Sequence, residues 1–256
     1  MSQVTVGVSL KMYFGLGQAI DWMRTVAAAV GAHPAVADGR VRVFLIPSFL
    51  AVPGGVEAVA GTPILVGAQD LATEDRGAYT GEVGGPEIAE AGARVVEVGH
   101  AERRRLFGED EAVVAAKTAA ALRNGLIPVL CIGEEDAADP APAETVVRQL
   151  DAALEGAPAG PVIAAYEPVW AIGAAEPAGV DHIAPVCAAL RARLDADPAR
   201  TGSVVIYGGS AGPGLLTELG DAVDGLFLGR FAHDPASLAR VVDEAAALAD
   251  TREAAR

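Results

Sequence analysis

Ile127-Pro128-Val129-Leu130-Cys131-Ile132 is an unbroken apolar run, and a helical segment through Val146–Leu154 follows it. A second unbroken run, Val162-Ile163-Ala164-Ala165-Tyr166, comes next. Apolar runs without polar alternation belong to strands covered on both faces. Two such strands joined through a helix pair in parallel, because a parallel return needs a long crossover. Gly125 and Gly160-Pro161 punctuate the joins, where helix and strand both end.

The same unit recurs in both directions. Upstream lie the runs Val4–Val8, Val41–Ile46, Ile64–Ala68 and Val95–Val98, with helical segments at Leu16–Val30, Leu50–Val59 and Glu109–Asn124. Downstream lie Val204–Tyr207 and Leu226–Leu228, with helical spacing over Ile183–Leu194 and about Pro235–Ala249. Eight strand–helix units in 256 residues predict a closed (β/α)8 barrel, a TIM barrel, rather than an open doubly wound sheet. No linker divides the chain, so residues 1–256 read as one domain. Asp136–Glu144 reads as a surface loop and Thr251–Arg256 as a frayed polar end.

Acids outnumber bases 34 to 19, a formal charge of −15. That balance argues against nucleic acid and anionic membranes as partners. A small anion remains admissible, since a few local cations and backbone N–H groups outweigh a screened distant field. Cys131 and Cys187 form neither a disulfide framework nor a zinc pattern. No metal motif is present, and no cofactor is expected. Met1–Ser9 lacks the features of a signal peptide, and no run is long enough to span a bilayer, so a cytoplasmic protein is expected.

In such barrels the chemistry sits at the C-terminal ends of the strands. Lys11 follows the first strand, His100 the fourth and Glu167 the sixth. Gly208-Gly209-Ser210 and Gly229-Arg230 follow the seventh and eighth. A carboxylate among apolar neighbours, as Glu167 is between Tyr166 and Pro168-Val169-Trp170, suits proton removal beside a carbonyl. An imidazole suits proton exchange between the two oxygens of an enediolate, and an ammonium balances its charge. Glycine turns let backbone N–H groups approach a phosphate. Taken singly, each group has a plainer reading: a solvated lysine, a capping histidine, an ion-paired glutamate, a tight turn. Cys131 reads as a small buried residue, and Glu102-Arg103-Arg104 as a charge network beside the site.

Ala165-Tyr166-Glu167-Pro168-Val169-Trp170-Ala171-Ile172-Gly173 and Glu97-Val98-Gly99-His100-Ala101-Glu102-Arg103-Arg104 resemble the catalytic segments of the triosephosphate isomerase family. Gly67-Ala68-Gln69-Asp70, Gly77-Ala78-Tyr79-Thr80-Gly81-Glu82, Cys131-Ile132-Gly133-Glu134 and Tyr207-Gly208-Gly209-Ser210 are similar to further segments of it. The resemblance covers nearly the whole chain. It implies an isomerase of small phosphorylated sugars, with Lys11, His100 and Glu167 catalytic and Glu102 contributing. The pairing of a glutamate base with a neutral histidine is that family's established chemistry. It also implies a phosphate held by Gly173, Ser210, Gly229 and the following residue, and a lid from Pro168 to about Pro177. A homodimer is implied as well, with Thr80 buttressing the partner's site.

Four segments depart from the family pattern. Ser9-Leu10-Lys11 replaces Asn-x-Lys, and Ala101 replaces the serine after the histidine. Ala174-Ala175-Glu176 replaces the usual lid tip, and Arg230 the second glycine of the last phosphate turn. Ser9 and Ala101 remove volume near the reacting carbons, while Arg230 offers a fork-shaped cation. The segments around Ser9 and Arg230 look similar to the erythrulose-phosphate isomerase branch. A tetrulose phosphate is therefore the expected substrate, with Ser9 and Arg230 among its binding residues. Triose phosphate, the substrate of the glycolytic isomerase, is the alternative. A Schiff-base aldolase using Lys11, and a barrel that binds without turnover, are the readings from other classes.

Overall fold

The computed structural model describes residues 3–255. Eight parallel strands close into a barrel in sequence order. They are β1 (Val4–Ser9), β2 (Val41–Ile46), β3 (Leu65–Ala68), β4 (Val95–Val98), β5 (Ile127–Ile132), β6 (Ile163–Tyr166), β7 (Val204–Tyr207) and β8 (Gly225–Leu228). Closure is made by β1 on β8, where Thr5 pairs with Gly225 and Val8 with Leu228. The expected (β/α)8 barrel is therefore present.

Alternate strand residues face in opposite directions. Val4, Val6 and Val8 belong to the larger core, between barrel and helices. Phe44, Ile46, Val95, Val129, Cys131, Ile163, Ala165, Ile206 and Phe227 form a separate inner core. Phe44 and Phe227 meet at 5.8 Å across the interior. Gly7 makes this possible, since a Cβ there would lie 2.0 Å from the Phe44 ring.

The helices are α1 (Leu16–Val30), α2 (Pro34–Ala37), α3 (Val52–Ala58), α4 (Gly85–Glu90), α5 (Ala101–Phe107), α6 (Glu111–Arg123), α7 (Pro142–Leu154), α8 (Val180–Asp195), α9 (Leu215–Leu219) and α10 (Pro235–Ala254). Short polar side chains start several of them. Asp110 accepts from the Val113 N–H at α6, and Asp234 from the Ala236 N–H at α10.

Three local expectations are corrected. The chain after β4 forms α5 before α6, because His100 caps it and Gly108, in the left-handed region, ends it. Pro142 starts α7 inside the segment read as a loop. Thr251–Ala254 continue α10 rather than fray, since the Arg252 guanidinium donates to Asp221 and to the Val223 carbonyl. Arg256 lies outside the described residues.

Candidate active site

Lys11, His100 and Glu167 each follow a strand on the C-terminal rim, and their side chains converge. Lys11 takes a left-handed φ of 49°, uncommon for a residue with a Cβ. The Gln69 side-chain amide donates to its carbonyl at 2.8 Å, holding the turn. Lys11 Nζ then reaches Glu102 Oε1 at 2.9 Å. Burial works against the ammonium, but the Glu102 hydrogen bond and nearby carboxylates raise it above 10.5 on balance. A Schiff-base lysine needs the opposite shift.

His100 is both the cap of α5 and a site residue. Its Nδ1 accepts from the Glu102 backbone N–H at 3.0 Å, so Nδ1 carries no proton and Nε2 is the N–H of a neutral ring. Burial, followed by the Lys11 charge, pushes the imidazolium down to about 4. Nε2 lies 3.7 Å from Glu167 Oε2 and 3.9 Å from Glu97 Oε1. Both distances exceed a hydrogen bond.

Glu167 is 7 % exposed, and its Oε2 has no hydrogen-bond partner among the described residues. Burial, then the neighbouring Glu97 carboxylate, raises it to about 8. The side chain lies over Gly208, where a Cβ would approach Oε1 to 2.4 Å. The glycine after β7 is thus the floor on which this carboxylate rests.

Ser9, expected to bind substrate, donates to Glu97 Oε2 at 2.8 Å. Glu97 itself had no assigned role from sequence. Burial raises it to about 7, against the pull of the Ser9 hydrogen bond. The available signal was an acid in the otherwise apolar strand Val95–Val98. Glu102, expected to contribute to catalysis, pairs with Lys11: burial raises it, but Lys11 brings it below its ordinary value on balance.

The three loops expected to hold phosphate are joined on one side of the rim. Ser210, with φ 50°, places its hydroxyl 3.0 Å from the Ala171 carbonyl and 2.9 Å from that of Ala174. This ties the β7 loop to the segment carrying Gly173, which has φ 75°. Phe231, just after Gly229-Arg230, lies against Gly212 in the same loop. Arg230 is exposed and forms no ion pair among the described residues. His233 packs on Phe14 at 4.6 Å and Tyr13 at 5.3 Å, so the two segments that depart most from the family pattern touch.

Two supports were only partly legible. Glu134 accepts from the Tyr166 hydroxyl at 3.1 Å and the Trp170 indole at 2.9 Å, and meets His182 at 2.9 Å. It anchors the segment directly after Glu167. Behind His100, Lys117 joins Asp70 and Glu109 at 2.6 Å each, while Arg103 bridges the same acids. This network fixes α5 against the loop after β3. Burial pushes the Cys131 thiol well above its ordinary range, which disfavours a nucleophilic thiolate.

The family model described as triosephosphate isomerase matches residues 4–245. The chain belongs to the triosephosphate isomerase family. It is 51 % identical to an L-erythrulose-1-phosphate isomerase of Pectobacterium atrosepticum, over 95 % of this chain and 96 % of that protein. It is 41 % identical to a triosephosphate isomerase of Moorella thermoacetica, over 82 % of this chain and 88 % of that one. The crystal structure of triosephosphate isomerase from Bartonella henselae superposes with a TM-score of 0.81 at 28 % identity, covering 94 % and 98 % of the two chains. The family membership makes this chain an isomerase of phosphorylated sugars, and it accounts for the barrel and the order of rim residues together.

Proposed function

We propose that this enzyme interconverts L-erythrulose 1-phosphate and D-erythrulose 4-phosphate through an enediolate. The observation that carries the chemistry is the facing pair at the rim: a buried carboxylate oxygen and an imidazole N–H, both without a partner among the described residues. Glu167 removes the proton from C3, and the electron pair forms the C2–C3 double bond as charge moves to O2. His100 Nε2–H donates to that oxygen and relays the O3 hydroxyl proton to O2. Glu167 returns its proton to C2, leaving the carbonyl at C3. Lys11 balances the negative charge of the intermediate. Gly173, Ser210, Gly229 and Arg230 receive the phosphate, and the segment from Pro168 to Pro177 covers it.

Two features support four carbons over three. Ser9 and Ala101 are smaller than their usual counterparts in the family, and the 51 % identical relative carries the erythrulose name. The test is a side-by-side assay with L-erythrulose 1-phosphate, D-erythrulose 4-phosphate and glyceraldehyde 3-phosphate. A kcat/KM for the tetruloses at least about tenfold above that for the triose is expected. The reverse order would instead make this a conventional triosephosphate isomerase, with glycolysis as its setting.

The same reading makes the enzyme a cytoplasmic homodimer. Met12 (93 % exposed), Leu50 (80 %), Tyr79 (49 %) and Phe107 (67 %) follow four successive strands, β1 to β4, on the rim. A second copy covering them would bring its own Gly77–Glu82 loop, with Thr80, to this site. Sedimentation of the wild type against Met12→Asp, which should shift mass toward the monomer, tests this.

A further inference from the structure

We propose that Glu97 is a specificity-determining residue whose Oε1 receives the terminal hydroxyl of the four-carbon substrate. The inference rests on the tetrulose reading above and names the group that recognises the additional carbon.

A carboxyl group in the middle of an inner barrel strand is costly to bury. Glu97 is 3 % exposed on β4, within a wall otherwise made of Val95, Val129, Cys131 and Ala165. None of the steps of proton removal, relay or charge balance requires it, since Glu167, His100 and Lys11 fill those roles. The fold gains nothing obvious from it either. Its one strong hydrogen bond among the described residues is to Ser9, and an apolar pair could replace both residues.

Its two oxygens stand in different circumstances. Oε2 accepts from the Ser9 hydroxyl at 2.8 Å. Among the described residues Oε1 has only the Cys131 thiol at 4.0 Å, a weak donor, and the His100 Nε2 at 3.9 Å. It keeps acceptor capacity, and it faces the same imidazole nitrogen as the reactive oxygen of Glu167. Ser9 therefore positions the carboxyl and leaves one oxygen open toward the reacting centre.

Substrate chemistry supplies the matching donor. The tetrulose differs from dihydroxyacetone phosphate only by a hydroxymethyl group on the carbon that loses its proton. That carbon must lie against Glu167 while the adjoining oxygen meets His100 Nε2. The additional hydroxyl is two bonds away from the same carbon, on a wall that offers Oε1 as its acceptor. The smaller Ser9 gives it room. A desolvated hydroxyl without an acceptor is disfavoured, and an acceptor left without its hydroxyl is disfavoured equally, so the pair discriminates in both directions.

The experiment compares L-erythrulose 1-phosphate with its 4-deoxy analogue, which keeps the additional carbon and lacks the hydroxyl, and with dihydroxyacetone phosphate. For wild type, loss of the hydroxyl should lower kcat/KM about a hundredfold. Glu97→Leu should shrink that gap to a few-fold, Glu97→Gln should retain part of it, and Ser9→Ala should narrow it by loosening the acceptor. Glycerol 3-phosphate inhibition and circular dichroism report whether each variant folds with its phosphate site intact. Should Glu97→Leu fail to fold, Glu97→Gln and Ser9→Ala carry the test. Equal losses on the tetrulose and its deoxy analogue in folded variants would overturn the role of Glu97 alone. A wild type that turns over triose phosphate but no tetrulose would overturn the functional reading on which it rests.

Discussion

His100 Nε2 and Glu167 Oε2 stand 3.7 Å apart, beyond hydrogen-bond range, with no other described side chain satisfying the carboxylate oxygen. A paired arrangement would be better for stability, because a buried polar atom without a partner costs free energy. In the proposed mechanism this gap receives a substrate oxygen and a substrate proton at once. The ring is fixed as a donor there by its other nitrogen, which is taken by the first turn of α5.

Glu167→Gln keeps the shape and removes the base. Turnover should fall by about a thousandfold or more, within the range expected for losing a positioned proton acceptor. Affinity for the inhibitor glycerol 3-phosphate should change less than threefold. A variant with wild-type kcat would clear Glu167 of the role.

The pH profile follows from the same burial. A base must be ionised to act, and Glu167 is raised to about 8, so kcat/KM should climb through neutrality, reach half its plateau near pH 8 and level off above it. His100, held down to about 4, stays neutral across that range and should add no limb of its own. The Glu102 carboxylate is among the charges that raise Glu167. Glu102→Gln should therefore move the rising limb to lower pH. A limb that stays in place or moves upward would contradict this electrostatic account.

Gly208→Ala tests the floor beneath the base. The new Cβ would stand 2.4 Å from Glu167 Oε1 and 2.6 Å from its Cγ, so the carboxylate must move. The barrel backbone need not, since the nearest atoms at Gly208 belong to that side chain. Expected is a drop in kcat of about a hundredfold, the cost of a misplacement on the order of 1 Å, with a near-normal melting temperature. Unchanged kcat would mean that the glycine serves only the turn.

How much of this was visible in sequence differs by residue. The strands were legible because both faces are buried, which leaves apolar runs such as Val41–Ile46 nearly unbroken. The rim positions of Lys11, His100 and Glu167 were legible because each stands within two residues of the end of such a run. Helix α5 was hidden: its sequence, Ala101–Phe107, has no buried residue, so it lacks the apolar stripe that marks a helix. The pairing of Glu97 with Ser9 was hidden for another reason. Ser9 is 88 positions away and on a strand that does not pair with β4. Contacts across a barrel interior leave no trace in local spacing.

Ser210→Ala should loosen the segment over the phosphate. The wild-type hydroxyl sits between the carbonyls of Ala171 and Ala174, at the start and middle of that segment. Without it, the other end remains held by the Ala178 N–H donating to the Tyr207 hydroxyl at 3.0 Å. Water should then reach the enediolate more often. The checking measurement is inorganic phosphate released per isomerisation, expected to rise several-fold while the fold is retained. No rise would mean that the segment is held without Ser210.

Glu97 also makes stability depend on pH in a direction that can be checked. Its carboxyl titrates near 4.5 when unfolded and is raised to about 7 in the fold. A raised carboxyl favours the folded state while both forms are protonated, below about pH 4.5. That advantage is lost as pH rises toward 7, because the unfolded chain ionises first. Glu97→Gln cannot ionise, so it should match wild type near pH 4.5 and become progressively more stable above it. A rise from 4.5 to about 7 sets the ceiling of the difference near 3 kcal/mol, reached above pH 7. Melting temperatures of the two proteins across pH 4.5 to 8 decide the matter. A glutamine variant that is the less stable of the two at pH 8 would mean that the Ser9–Glu97 pair holds the barrel together, and that its charge is a structural asset rather than a cost borne for the substrate.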